Sequence, residues 1–212
     1  NDMIPKIIHQ INIGGRQLPK QHLIWQQSWK KFNPRWDLIL WDNKKIHKNL
    51  KVNYPEILNK CKNFSEASDL LRFDILHQFG GLYIDTDFEC VKPIDSLILD
   101  KSFLVFRQNP YFICGAFIAA EKSHINIKTL VDGIPGRFKT HKNKTSHEKF
   151  GPAYITDKLG IQNSYEDGEE SLEKTVYPFS WKHKMDTDQV LKNFPSVYAI
   201  HHWEGSWKND KS

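Results

Sequence analysis

Two aspartates separated by one threonine, Asp85 and Asp87 in GGLYIDTDFECVKPID, directly follow an apolar run with the composition of a strand. In an extended chain, residues two apart face the same way, so both carboxylates could aim at one point while Thr86 faces elsewhere. Two hard oxygen donors at a strand end suit Mg2+ or Mn2+, ions that keep positions for water and substrate phosphates. The same three residues also make an ordinary acidic turn, and the motif alone keeps both readings open. Asp69 and Arg72 stand three apart on the helical stretch before that strand, so they project together. They are either a surface ion pair, worth a few tenths of a kcal/mol, or an arginine placed for a phosphate and an aspartate placed for sugar hydroxyls. At the end of the chain, AIHHWEGSW (199–207) gathers His201, His202, Trp203, Ser206 and Trp207. Adjacent strand residues face opposite ways, so only one histidine can join the aspartates as a metal ligand; His201 is the first choice and His202 the alternative. Trp207 either gives its indole N–H to a phosphate or sugar, or closes the core.

The elements that would position these groups follow a strand, helix, strand rhythm. IPKIIHQINIGG (4–15) packs Ile7, Ile8, Ile11 and Ile13 ahead of a glycine pair and predicts a buried strand. From Pro19 to Phe32, Leu23, Trp25, Trp29 and Phe32 recur at near-helical spacing, and Asn33-Pro34 ends the helix. WDLILW (36–41) is the next strand. SEASDLLRFDILHQF (65–79) predicts a helix capped by Ser65 and stopped by Gly80, with Ala67, Leu70, Leu71, Ile75 and Leu76 as its apolar stripe. FLVF (103–106) and ICGAFIAA (113–120) are further strands, and helices fall near 123–134 and 148–159. A polar insert spans 160–174, and SVYAIHHW (196–203) closes the sequence of elements as a last strand. This order argues for an α/β fold with a parallel sheet in one domain, with a soft boundary near 95–100. Open sheets of this kind bind ligands beyond the C-terminal ends of their strands, where the two aspartates would lie.

Composition narrows the function classes. With 39% hydrophobic and 26% charged residues, the 212-residue chain can bury a sizeable core. Its 13 Phe, 7 Tyr and 7 Trp exceed what a minimal core needs, so some should line a cleft. No run approaches the roughly 20 apolar residues that span a bilayer, and no secretory signal opens the chain. Asn1 and Asp2 look like an expression scar, and any anchor would lie beyond the ends. Cys61, Cys90 and Cys114 are far apart and form no CxxC pair, which argues against a disulfide framework or structural zinc and favours a reducing compartment. The net charge of +5 favours an anionic ligand, but 25 acidic residues are interspersed with 30 basic ones. Lysine-rich KTHKNK (139–144) is therefore assigned to solvated loop, and nucleic acid is not the expected partner.

Taken in order, IPKIIHQI, NPRWDLILWD, SEASDLLRFDILHQFGGLYIDTDFECVKP and HHWEGSW resemble the DXD-containing glycosyltransferases of family 32. That family includes the yeast initiating mannosyltransferase and capsular and viral sugar transferases, and the large clostridial toxin glucosyltransferases are similar around S-D-x-x-R and the DXD. The resemblance implies a GT-A fold, a Rossmann-like, mixed but mostly parallel sheet flanked by helices. Residues 3–95 would form a nucleotide-sugar-binding half. Residues 96–212 would form an acceptor half, in which FGPAYIT (150–156) matches a segment near the acceptor. It further implies a nucleotide-sugar donor (a UDP-sugar such as UDP-glucose before a GDP-sugar), Mn2+ before Mg2+, a glycan or glycoprotein acceptor, and retention of configuration.

Carried onto this chain, the resemblance makes Asp87 a direct metal ligand and lets Asp85 bridge the metal to ribose or donor sugar. Asp69 and Arg72 would hold the sugar and diphosphate. His201 would complete the metal shell, and Ser206 with Trp207 would close over the phosphates. Ile8, His9 and Gln10 would lie beside the base, with Thr86 and Asn12 also on the donor side. Asn12 stands where the family usually carries the tryptophan that stacks on the base in the toxins. The expected compartment is the cytoplasm of a bacterium or infected host cell, or the Golgi lumen if an anchor has been removed, and the chain could be one domain of a longer polypeptide. A metal-dependent phosphotransferase or nuclease, and a non-catalytic carbohydrate-binding module, are the rival classes.

Overall fold

The computed structural model of the chain describes residues 3–205, so Ser206 and Trp207 lie outside the described residues. The elements run β1 (Ile7–Ile11), α1 (Lys20–Phe32), β2 (Asp37–Trp41), α2 (Asn43–Asn49), α3 (Pro55–Leu58), α4 (Phe64–Phe79), β3 (Gly81–Ile84) and β4 (Phe88–Cys90). After α5 (Asp95–Ile98) come the hairpin strands β5 (Phe103–Asn109) and β6 (Phe112–Ala120). The helices α6 (Ile125–Asp132), α7 (Ile134–Thr140), α8 (Ser146–Lys149), α9 (Pro152–Leu159) and α10 (Thr187–Asn193) precede β7 (Ala199–His201).

The main sheet has the order β2-β1-β3-β6-β5. β1 pairs in parallel with β2 and β3, whereas β6 is antiparallel to both β3 and β5, so it alone opposes the other four strands. Parallel neighbours need a crossover, which α1 supplies between β1 and β2 and the α2–α4 segment supplies before β3. Side chains alternate to two cores. Leu82, Ile84, Phe117 and Ala119 join Trp29, Phe88 and Tyr177 on one face. Tyr83, Ile118 and Ala120 join Leu71, Phe73, Ile75 and Tyr154 on the other. A separate two-stranded sheet, β4 with β7, sets Phe88 opposite His201.

Three local expectations are corrected. On α1 the buried face is His22, Trp25, Gln26 and Trp29, while Leu23 is 43% exposed. Hydrogen bonds to β4 set this face: Trp29 Nε1 donates to Phe88 O at 2.8 Å, and Cys90 N donates to Ser28 Oγ at 2.8 Å. On α4 the cap is Asn63, whose side chain accepts from Glu66 N at 2.8 Å; Ser65 lies inside the first turn. The helix expected near 148–159 breaks into α8 and α9 at Phe150-Gly151, and Pro152 starts the second piece as its first helical residue.

Gly80 ends α4 with φ +66°, and Gly81 opens β3 with φ +116°. A Cβ on Gly81 would meet Ile7 O at 2.5 Å, so the close approach of β3 to β1 requires glycine. The polar insert is tied down rather than loose. Tyr165 extends the β5 edge through Tyr165 N to Val105 O (3.0 Å) and Arg107 N to Tyr165 O (2.9 Å). The buried Asp167 carboxylate accepts from the N–H groups of Gly168, Thr175, Val176 and Tyr177.

Candidate active site

β3 ends at Ile84, and Asp85, Thr86 and Asp87 form the turn into β4, closed by Phe88 N donating to Asp85 O at 3.2 Å. The carboxylates therefore converge through a turn, not through the same-side spacing of an extended strand. The β4–β7 register delivers a third group. Asp85, Asp87 and His201 each offer a ligand atom, all within 4.8 Å of one another. His201 Nε2 stands 3.1 Å from Asp87 Oδ1, off the hydrogen-bond line, and both atoms are buried without a hydrogen-bond partner. Buried polar atoms converging without hydrogen-bond partners fit a cation, and two carboxylates with an imidazole are a donor set that a divalent cation accepts.

Backbone groups hold Asp87 in place: Glu204 N donates to its Oδ2 at 2.9 Å, and His202 N to its carbonyl at 3.0 Å. Burial pushes its carboxyl up, but His201, His22 and the Glu204 N–H outweigh that and keep it below the ordinary range. Ionised Asp87 is the form that would bind a cation.

Asp69 and Arg72 are not a surface pair: their side chains are 14% and 7% exposed, with Nη2 and Oδ1 3.0 Å apart. Arg72 Nη2 also lies 3.4 Å from Asp85 Oδ1. Its Nη1 donates to Gly115 O, its Nε donates to Ser68 O at 3.2 Å, and its guanidinium stacks 4.5 Å from the Tyr83 ring centre. Gly115 allows this approach, since a Cβ there would lie 3.0 Å from Nη1. Burial pushes Asp69 up to about 7 despite the pull of Arg72. Tyr83 Oη donates to Asp85 Oδ1 at 2.8 Å. Sequence reasoning missed Tyr83, although its place two residues before Asp85 on a strand was an available signal.

On the first strand, the His9 ring is held within the core. Its Nε2 donates to Gly80 O at 2.8 Å and its Nδ1 accepts from Trp41 Nε1 at 3.1 Å. Both nitrogens are used inside the core, so the ring has none left for a base, and burial lowers its pKa to about 4. Ile8 and Gln10 are also buried; Gln10 Oε1 accepts from Gln26 Nε2 at 2.9 Å, while Gln10 Nε2 has no partner. Asn12 donates through Nδ2 to Arg16 O at 2.7 Å and shapes the loop after β1. Thr86 Oγ1 is hydrogen bonded to His22 Nδ1 at 2.9 Å. His202 turns away from the aspartates to Glu89 Oε1 at 2.9 Å and stacks on Trp25 at 4.1 Å. His22 and Glu89 carried no sequence signal, and Trp25 only its helical spacing, because their partners are remote in the chain. The three cysteines are unpaired, and burial raises each thiol to about 12.

A mixed, mostly parallel sheet with converging carboxylates beyond its central strand defines the GT-A class of fold. Residues 19–104 match the family described as glycosyltransferase sugar-binding region containing DXD motif. Through that region the chain is similar to the DXD-containing glycosyltransferases.

The chain is similar to inositol phosphoceramide mannosyltransferase 3 of Schizosaccharomyces pombe, 26% identical over 94% of this chain and 60% of that protein. It is similar also to the uncharacterized glycosyltransferase L373 of Acanthamoeba polyphaga mimivirus, 35% identical over 52% of this chain and 46% of that protein. It thus spans less than two thirds of either relative. Its fold matches the solved PaToxG glycosyltransferase with TM-score 0.62 and 22% identity, over 75% of this chain and 70% of that one. Among the described residues, no helix is long and apolar enough to cross a membrane.

Proposed function

We propose that the chain moves a sugar from a nucleotide-sugar donor, a UDP-sugar before a GDP-sugar, to a hydroxyl of a glycan or glycoprotein acceptor with retention of configuration. The observation that carries this reading is the convergence of half-buried Asp85 with buried Asp87 and His201 beside the Asp69–Arg72 pair. Asp85, Asp87 and His201 would hold Mn2+ or Mg2+, which when bound supplies Lewis-acid stabilisation of the departing nucleoside diphosphate. Arg72 adds a fixed positive charge that needs no reorganisation during reaction, because its contacts already lock it. Asp69 receives sugar hydroxyls and orients the donor. An acceptor oxygen bonds to the anomeric carbon from the face that the nucleotide leaves, and its proton passes to the departing diphosphate. The three unpaired thiols support a reducing compartment, the cytoplasm before the Golgi lumen.

The test is a panel of UDP- and GDP-sugars, mannose and glucose included, with Mn2+ or Mg2+ and a readout of released nucleotide. Asp87→Asn is expected to lower release by about a hundredfold or more. Full cation-dependent turnover by that variant would overturn the scheme. Release of inorganic phosphate in place of nucleoside diphosphate would point to a phosphotransferase.

A further inference from the structure

The turn that carries Asp85 and Asp87 has three side chains, and each is anchored differently. Asp85 is held by Tyr83 and Arg72. Asp87 is held by the Glu204 N–H. Thr86, between them, is held by α1: its hydroxyl is hydrogen bonded to His22 Nδ1 at 2.9 Å. His22 is 5% exposed, and its ring packs 5.3 Å from that of Trp25. The same helix reaches the rest of the metal-site scaffold. Trp25 stacks on His202, next to His201, and Trp29 and Ser28 bond the backbone of β4. α1 is therefore a backplate touching the turn, the strand after it and the end of β7. A buried histidine that only filled space would not need a hydroxyl partner placed between two cation-binding carboxylates.

We propose that His22 is a positioning residue for the cation site, acting through Thr86 to fix the separation and direction of the two carboxylates. This rests on the reading that Asp85, Asp87 and His201 bind a divalent cation. Outer groups that orient metal ligands typically change affinity by about 10- to 100-fold when removed. Without the His22 bond the turn rotates more freely, and binding must restore its order.

The test uses the whole chain and Mn2+ alone, with binding followed by calorimetry and α1 followed by hydrogen exchange. His22→Phe keeps a ring against Trp25 and loses the bond; Thr86→Val keeps the shape and loses the hydroxyl. Each is expected to raise the Kd for Mn2+ about tenfold. The double variant should be no weaker than either single one, and Thr86→Ser should restore wild-type affinity. Mn2+ should slow exchange at the start of α1 in the wild type but not in either single variant. Loss of one partly buried hydrogen bond should lower the metal-free Tm by only about 2–4 °C. If the wild type binds Mn2+ and Asp87→Asn does not, yet both single variants bind like wild type or their effects add in the double variant, the positioning role is wrong while the cation reading stands. If the wild type binds neither Mn2+ nor Mg2+, both fall.

Discussion

Asp69→Asn separates the structural cost of the site from its use. The substitution keeps the shape of the side chain and an oxygen for Arg72 3.0 Å away, and removes one buried negative charge. In the folded chain the Asp69 carboxyl is pushed from 3.8 up to about 7, because burial outweighs the attraction of Arg72. That interval corresponds to about 4 kcal/mol. A raised folded pKa means that the native state holds the proton more tightly than the unfolded chain does. This stability is fully present below about pH 4 and is lost as pH rises through about 7.

Asparagine has no proton to lose. Relative to wild type, the variant should therefore gain stability between about pH 4 and pH 8, by up to about 4 kcal/mol. Urea unfolding of the metal-free proteins across that range measures the difference. His9, lowered to about 4, and Asp74, raised to about 6, also titrate there, but they are common to both proteins and cancel. A flat difference, or one favouring wild type as pH rises, would show that Arg72 holds Asp69 ionised and that burial is not the dominant effect. The variant should meanwhile lose donor turnover, since an uncharged amide accepts sugar hydroxyls more weakly than a carboxylate.

Two further predictions concern the scaffold. Gly81→Ala should destabilise by at least about 2 kcal/mol, from positive-φ strain and the Cβ contact with Ile7 O, as measured by chemical unfolding. Asn63→Ala should cost about 1 kcal/mol and Ser65→Ala less than about 0.5 kcal/mol, because Asn63 is the residue that caps α4. Equal losses in the two variants would return the cap to Ser65.

The opening β1, α1 and β2 were legible because apolar runs bounded by glycine and proline mark buried elements whatever their partners. The inner face of α1 was not, because β4, about 60 residues away, selects it through Trp29 and Ser28. The Asp69/Arg72 spacing was visible, but its burial depends on Gly115 O and Tyr83, which arrive from other strands. Strand alternation limited the site to one histidine, and the two rings do point apart, His201 toward Asp87 and His202, just past β7, toward Glu89. Strand position did not reveal that Gly80 and Trp41 occupy both nitrogens of His9.

The Asp-Thr-Asp spacing suggested convergence for a reason that the geometry replaces. Along a strand, residues two apart are separated by about 6.6 Å and their side chains run parallel. A cation site needs its ligand atoms closer, and here all three lie within 4.8 Å. Only after the chain leaves the sheet can Asp85 and Asp87 fold toward one another while β7 adds His201. A turn has no ladder of hydrogen bonds to hold it, so its stiffness must come from side chains and stray backbone donors. That need accounts for Tyr83 against Asp85, the Glu204 N–H against Asp87 and His22 against Thr86. Tyr83, the Glu204 N–H and His22 are thus the supports that a turn-borne cation site would require.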